Sequence, residues 1–184
     1  MTAPILSASR VDKYYGGRIR CREASFDLHP GDIPGLVGES GSGQTTLLNV
    51  LAGRLKPSGG RVLYRDGRGL EHDMNQLAEA ERRRLLRTEL GFVHQHARDG
   101  LRLKVSAGAN IGERLMAGGW RDYTRIRSEA AAWLARVEIN VDRLDDRPES
   151  YSGGMQQRLQ IARNLVPGPR LIFMAEPPGG LDVL

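Results

Sequence analysis

Apolar and polar residues alternate over residues 5–11 and again over 21–28, the period-two pattern of half-buried strands, and Gly16-Gly17 between them predicts a turn joining an antiparallel pair. Residues 33–37 form a short apolar run, read as a further strand, which feeds the glycine-rich stretch Gly38-Glu39-Ser40-Gly41-Ser42-Gly43. Helix-forming character then takes over across 45–55, so the order is strand, loop, helix. A turn cluster at Lys56-Pro57-Ser58-Gly59-Gly60 precedes a predicted strand at 61–64. An amphipathic helix over 76–89 places Leu77, Ala80, Arg84 and Leu85 at helical spacing, and a strand over 90–95 follows it.

Beyond residue 97 the texture changes. Tyr123, Ile126, Ala130, Trp133, Leu134 and Val137 recur at spacings of three and four, so residues 101–150 read as a helical insertion. Ser152 is placed as the N-cap of a helix running to about residue 166, where Pro167-Gly168-Pro169 stops it. Leu171-Ile172-Phe173-Met174 then reads as an apolar buried strand, which makes the class α/β.

The chain of 184 residues is 40% apolar, 27% charged and 5% aromatic, enough to close a core and incompatible with disorder or collagen. It holds no run of about 20 uncharged apolar residues and no basic segment leading into an apolar one, so a cytoplasmic location without membrane insertion is expected. Cys21 is the single cysteine and is expected to be a small buried filler. The net charge of +5 is carried by dispersed arginines, with lysine only at Lys13, Lys56 and Lys104; no polybasic arm stands out and no nucleic-acid partner is expected. Arg82-Arg83-Arg84 sits among Glu79, Glu81 and Glu89 and reads as a solvated helix face. His94 and His96 have no third ligand at a metal-site spacing and read as strand residues.

The stretch from Gly38 to Thr45 has the spacing of a phosphate-binding loop, in which glycines free backbone N–H groups to face phosphate oxygens and the next helix adds its dipole. Gln44 stands where that pattern takes lysine, so the loop alone leaves an ordinary glycine-rich turn open. Four more features arrive in fixed order. They are Tyr15, Gln95 at a strand end, Tyr151-Ser152-Gly153-Gly154-Met155-Gln156-Gln157-Arg158, and the run from Leu171 to Glu176 followed by Gly180-Leu181-Asp182.

Together these resemble an ABC-type ATPase over nearly the whole chain. The resemblance implies one nucleotide-binding domain over 1–184: a P-loop NTPase core with an N-terminal antiparallel β subdomain (1–97 and 168–184) and a helical subdomain carrying the signature motif (98–167), truncated at the C-terminus. It implies ATP and Mg2+ as cofactors, with Tyr15 stacking on adenine. Gly38, Ser40, Gly41, Ser42, Gly43, Gln44, Thr45 and Thr46 would hold the phosphates, Thr45 and Gln95 the metal, and Glu176 with Gln95 the attacking water. Ser152, Gly153, Gly154 and Asp182 would serve the ATP of a second copy in a nucleotide-sandwich homodimer.

A narrower resemblance runs through Leu85-Leu86-Arg87-Thr88-Glu89, Val93-His94-Gln95-His96, Asp99-Gly100-Leu101-Arg102, Val105-Ser106-Ala107-Gly108 and 110–116, and is to ATP-binding subunits of the bacterial carbon–phosphorus lyase system. It implies phosphonate catabolism and the lyase core proteins as partners; a peptide- or nickel-type importer ATPase and a non-hydrolysing fragment are the alternatives. Three positions depart from the family pattern: Gln44 for lysine, Ala175 for aspartate and Pro178 for threonine. The sequence also stops at Leu184, before the family's switch histidine, so turnover by this chain itself is expected to be slight and the phosphate-loop and Walker B strands to lack a shared neighbour.

Overall fold

The computed structural model describes residues 3–39 and 41–175. The chain divides into two compact units, Met1–Leu86 and Arg87–Leu184.

The first unit is built on an antiparallel sheet. Strands β1 (Leu6–Tyr15) and β2 (Arg18–Leu28) form the expected hairpin, with Leu6 opposite Leu28 and Tyr15 opposite Arg18. After helix α1 (Gln44–Leu51), β3 (Gly59–Arg65) pairs with β1, and β4 (Glu71–Asp73) pairs with β3, giving the order β2-β1-β3-β4. Helix α2 (Glu79–Thr88) runs across the division at residue 86. Leu6 and Val11 on β1 and Val62 and Tyr64 on β3 are fully enclosed on the inward side of the sheet, with Met74 after β4 and Leu85 on α2 enclosed as well.

Both long strands carry a residue with positive φ, Arg10 at 44° and Glu23 at 49°, where the pairing register slips. Side chains replace the lost ladder bonds: Arg10 N donates to Ser25 Oγ at 2.8 Å and Glu23 N to Asp12 Oδ1 at 2.8 Å. The β3–β4 turn is held by Asp66, fully buried, whose Oδ1 accepts from Arg68 N and Leu70 N at 2.9 Å each and whose Oδ2 lies 3.0 Å from His72 Nε2.

The strand predicted over 33–37 does not form. That segment pairs with no described strand, and Ile33 is 91% and Val37 97% exposed. Pro34 has no N–H to donate, and an apolar run closes into a sheet only where a neighbour supplies the ladder. Cys21 is half-buried rather than buried, and burial is the largest cause raising its thiol pKa. Arg83 and Arg84 do lie on a charged helix face, bonded to Glu79 at 2.7 Å and Glu81 at 2.8 Å, and Arg84 also reaches Asp66 at 3.9 Å.

The second unit pairs β5 (Leu90–Val93) in parallel with β6 (Leu171–Met174), Leu90 opposite Leu171 and Val93 opposite Met174. Between them come α3 (Ala97–Gly100), α4 (Ala107–Ala117), α5 (Tyr123–Arg136) and α6 (Gly153–Leu165); α4 and α5 fall within 101–150, where helices were expected, and α6 follows the Ser152 cap. Ser106, Asp122 and Ser152 cap the three long helices by accepting from the backbone N–H three residues on. Ile111, Ala130, Leu134, Tyr151 and Leu159 pack into one core cluster. β6 is less enclosed than its composition predicts: Phe173 is buried, whereas Met174 is 40% exposed.

Candidate functional site: a phosphate loop and a signature helix

The glycine-rich loop lies in the first unit and enters α1 at Gln44. It closes on itself, with Ser42 N donating to Glu39 O at 3.0 Å. Gly41 and Gly43 have φ of 82° and 100°, and a Cβ built on Gly43 would stand 1.8 Å from Arg20 O on β2, so backbone conformation and space both demand glycine there. Gly38 is equally confined by side chains, a Cβ on it meeting Ser42 Oγ at 2.7 Å. α1 has no acidic residue in its first turn and no side-chain cap, so among the described residues nothing neutralises its positive end.

Gln44 takes up a different job from a lysine at that place. Its Nε2 donates to Leu36 O at 3.0 Å and Gly38 O at 3.3 Å, so the side chain is a neutral tie across the base of the loop. Thr45 is exposed, and its carbonyl accepts from Asn49 Nδ2 at 2.7 Å. Thr46 is half-buried in the same turn. Tyr15 ends β1 and is 46% exposed, and Lys13 Nζ sits 4.9 Å from its ring centroid. The structure thus gathers Gly38, Gly41, Ser42, Gly43 and Gln44 into one loop, with Tyr15 in the same unit.

The remaining expected residues belong to the second unit. Gln95 is exposed just past β5, and Ala175 is buried just past β6, its N–H donating to Val93 O at 3.0 Å. Ser152 Oγ accepts from Met155 N at 3.3 Å, and Gly153 and Gly154 open α6 with empty space where a Cβ would stand. A hydroxyl and two bare N–H groups therefore present a second exposed helix start. Ser40, Glu176, Pro178 and Asp182 lie outside the described residues.

One arrangement went unread in the sequence. Gln160, fully buried on α6, brackets His94: its Oε1 accepts from His94 N at 2.5 Å and its Nε2 donates to His94 O at 3.1 Å. One turn on, Asn164 Oδ1 accepts from Phe92 N at 3.1 Å. α6, which starts with the signature residues, is thereby stitched to the backbone next to Gln95. Three carboxamides at four-residue spacing on one helix face, Gln156, Gln160 and Asn164, were the available signal.

The described residues contain no cluster of three His, Cys, Asp or Glu side chains suited to a metal ion. Thr45 and Gln95 offer neutral oxygens of the hard kind that Mg2+ takes, and Thr45 Oγ1 bonds to no described residue. The Ala175 methyl group offers nothing.

Residues 21–179 match the family model for the ABC transporter, and the chain belongs to that family of ATP-hydrolysing, ATP-binding cassettes. Across the full chain it is 55% identical to the phosphonates utilization ATP-binding protein PhnK of Escherichia coli (strain K12), covering 71% of that protein. It is 34% identical to the lipoprotein-releasing system ATP-binding protein LolD of Coxiella burnetii (strain RSA 493 / Nine Mile phase I), with 98% of this chain and 76% of that one covered. Among solved structures, a dimeric ATP-binding cassette in a post-hydrolysis state bound to ADP and Pi superposes with a TM-score of 0.84 at 27% identity, over 96% of this chain and 76% of that one. Among the described residues no helix is long and apolar enough to cross a membrane.

Proposed function

We propose that the chain is the ATP-binding cassette subunit of a carbon–phosphorus lyase system in phosphonate catabolism, carrying the nucleotide on the loop at 38–46 and acting as a cytoplasmic sandwich dimer. The observation that carries this reading is the 55% identity to PhnK over the full chain. Support for the site comes from the loop geometry: two left-handed glycines and an α1 start with no competing carboxylate. The backbone amides of residues 40–45 hold the phosphates, and Tyr15 stacks on the base. Thr45 and Gln95 would each offer an oxygen to Mg2+, which would supply charge neutralisation at the phosphates. Glu176 accepts the proton of the attacking water. Ser152, Gly153, Gly154 and Asp182 face the nucleotide of the second copy.

Chemistry on this site is slow. A unit charge pair near 4 Å at an effective dielectric of 20 is worth about 4 kcal/mol, and losing half of it with Gln44 slows turnover roughly 30-fold. Ala175 removes a carboxylate that would order the metal's water shell, so binding outlasts hydrolysis here.

The test is co-elution. Purified chain mixed with carbon–phosphorus lyase core proteins and ATP is expected to run as one complex on gel filtration. Failure to associate with the core, together with co-purification of membrane permeases, would assign the chain to a transporter.

A further inference from the structure

The phosphate loop lacks its lysine, yet a cation borders it from another element. Arg20 lies on β2, half-buried, directly against the loop: its carbonyl oxygen occupies the space beside Gly43, and its Nη1 donates to Gly41 O at 3.3 Å. That single bond uses one of the five guanidinium donors. No carboxylate among the described residues forms an ion pair with Arg20. Lys13, also on this hairpin, is engaged elsewhere, its Nζ donating to Lys56 O at 2.8 Å. Gln44, meanwhile, is turned into the loop base as a neutral tie.

We infer that Arg20 is the polyphosphate-binding cation of this chain, its guanidinium fork taking the outer phosphate oxygens of a nucleoside di- or triphosphate held on the loop. This rests on the nucleotide-site reading above and deepens it. A charge with no ion-pair partner among the described residues, placed on the rim of an anion-binding loop, is stabilised by the anion it meets, and a planar fork matches phosphate oxygens two at a time. The Gly41 contact keeps the long side chain lying over the loop instead of extended into water. The site thereby keeps a positive charge, while its origin moves from α1 to β2.

The full chain is titrated with a fluorescent ATP analogue, and ATP, ADP and AMP compete for it. Arg20→Gln is expected to weaken ATP and ADP on the order of ten- to a hundredfold and to leave AMP nearly unchanged. Arg20→Lys, which keeps the charge and loses the fork, falls between. Arg136→Gln, which removes an exposed charge from α5, leaves all three alone. Circular dichroism melts establish that each variant is folded; were Arg20→Gln unfolded, Arg20→Lys carries the result. ATP binding as tight in the folded Arg20 variants as in wild type overturns the inference and leaves the nucleotide site standing. Absence of saturable ATP binding by the wild type overturns the nucleotide-site reading itself, and this inference with it.

Discussion

Replacing Gln160 with leucine keeps the volume of a fully buried side chain and removes both of its bonds to His94. His94 N–H and C=O are then left without the partners they have at 2.5 and 3.1 Å. Two hydrogen bonds at a net worth of about 1–1.5 kcal/mol each set the expected loss at about 3 kcal/mol. That is more than a hundredfold in the folding constant. Trp120 and Trp133 both lie in the second unit and report its unfolding in urea. With an m-value of about 2 kcal/mol/M the midpoint falls by about 1.5 M. Gln157→Leu, three positions earlier and half-exposed, should move stability by less than about 0.5 kcal/mol. Equal midpoints for Gln160→Leu and wild type would refute the view that this carboxamide stitches α6 to the strand preceding Gln95.

Asp66 gives a pH prediction for the first unit. Burial pushes its carboxyl pKa up, but the His72 bond and the Leu70 and Arg68 N–H groups outweigh burial and bring it from 3.8 down to about 2. The unfolded chain therefore binds the proton more readily, so the Asp66 contribution is complete above about pH 4 and is lost as pH falls toward 2. Melting temperatures measured from pH 5 to pH 2 should show that acid slope flattened in Asp66→Asn; an unchanged slope contradicts the assignment. Gly43→Ala forces a Cβ to 1.8 Å from Arg20 O at a φ of 100°, so it should abolish ATP-analogue binding while the second unit's tryptophan unfolding is unaltered, and retained affinity would show that the loop tolerates a side chain there.

Much of this architecture was legible because it is local. The β1–β2 hairpin follows from alternation and two glycines, and α6 from Ser152, an apolar stripe and the Pro-Gly-Pro stop. What was misread depends on neighbours distant in sequence. Residues 33–37 have strand composition but no ladder among the described residues, and β4, three polar residues that drew no strand reading, pairs with β3 beyond the turn that Asp66 holds. The site was legible as a motif, since glycine spacing records backbone demands directly. The direction in which Gln44 points and the approach of Arg20 from β2 were not, because both depend on how separate elements pack.

On the function proposed above, the backbone amides of residues 41–45 hold the phosphates of ATP. Amide-resolved NMR of the labelled chain, titrated with ATP, tests it residue by residue. Saturable shifts concentrated at Gly41, Ser42, Gly43, Gln44 and Thr45, absent when adenosine replaces ATP, are the predicted result. Shifts confined to other surfaces, or equal with adenosine, would contradict it.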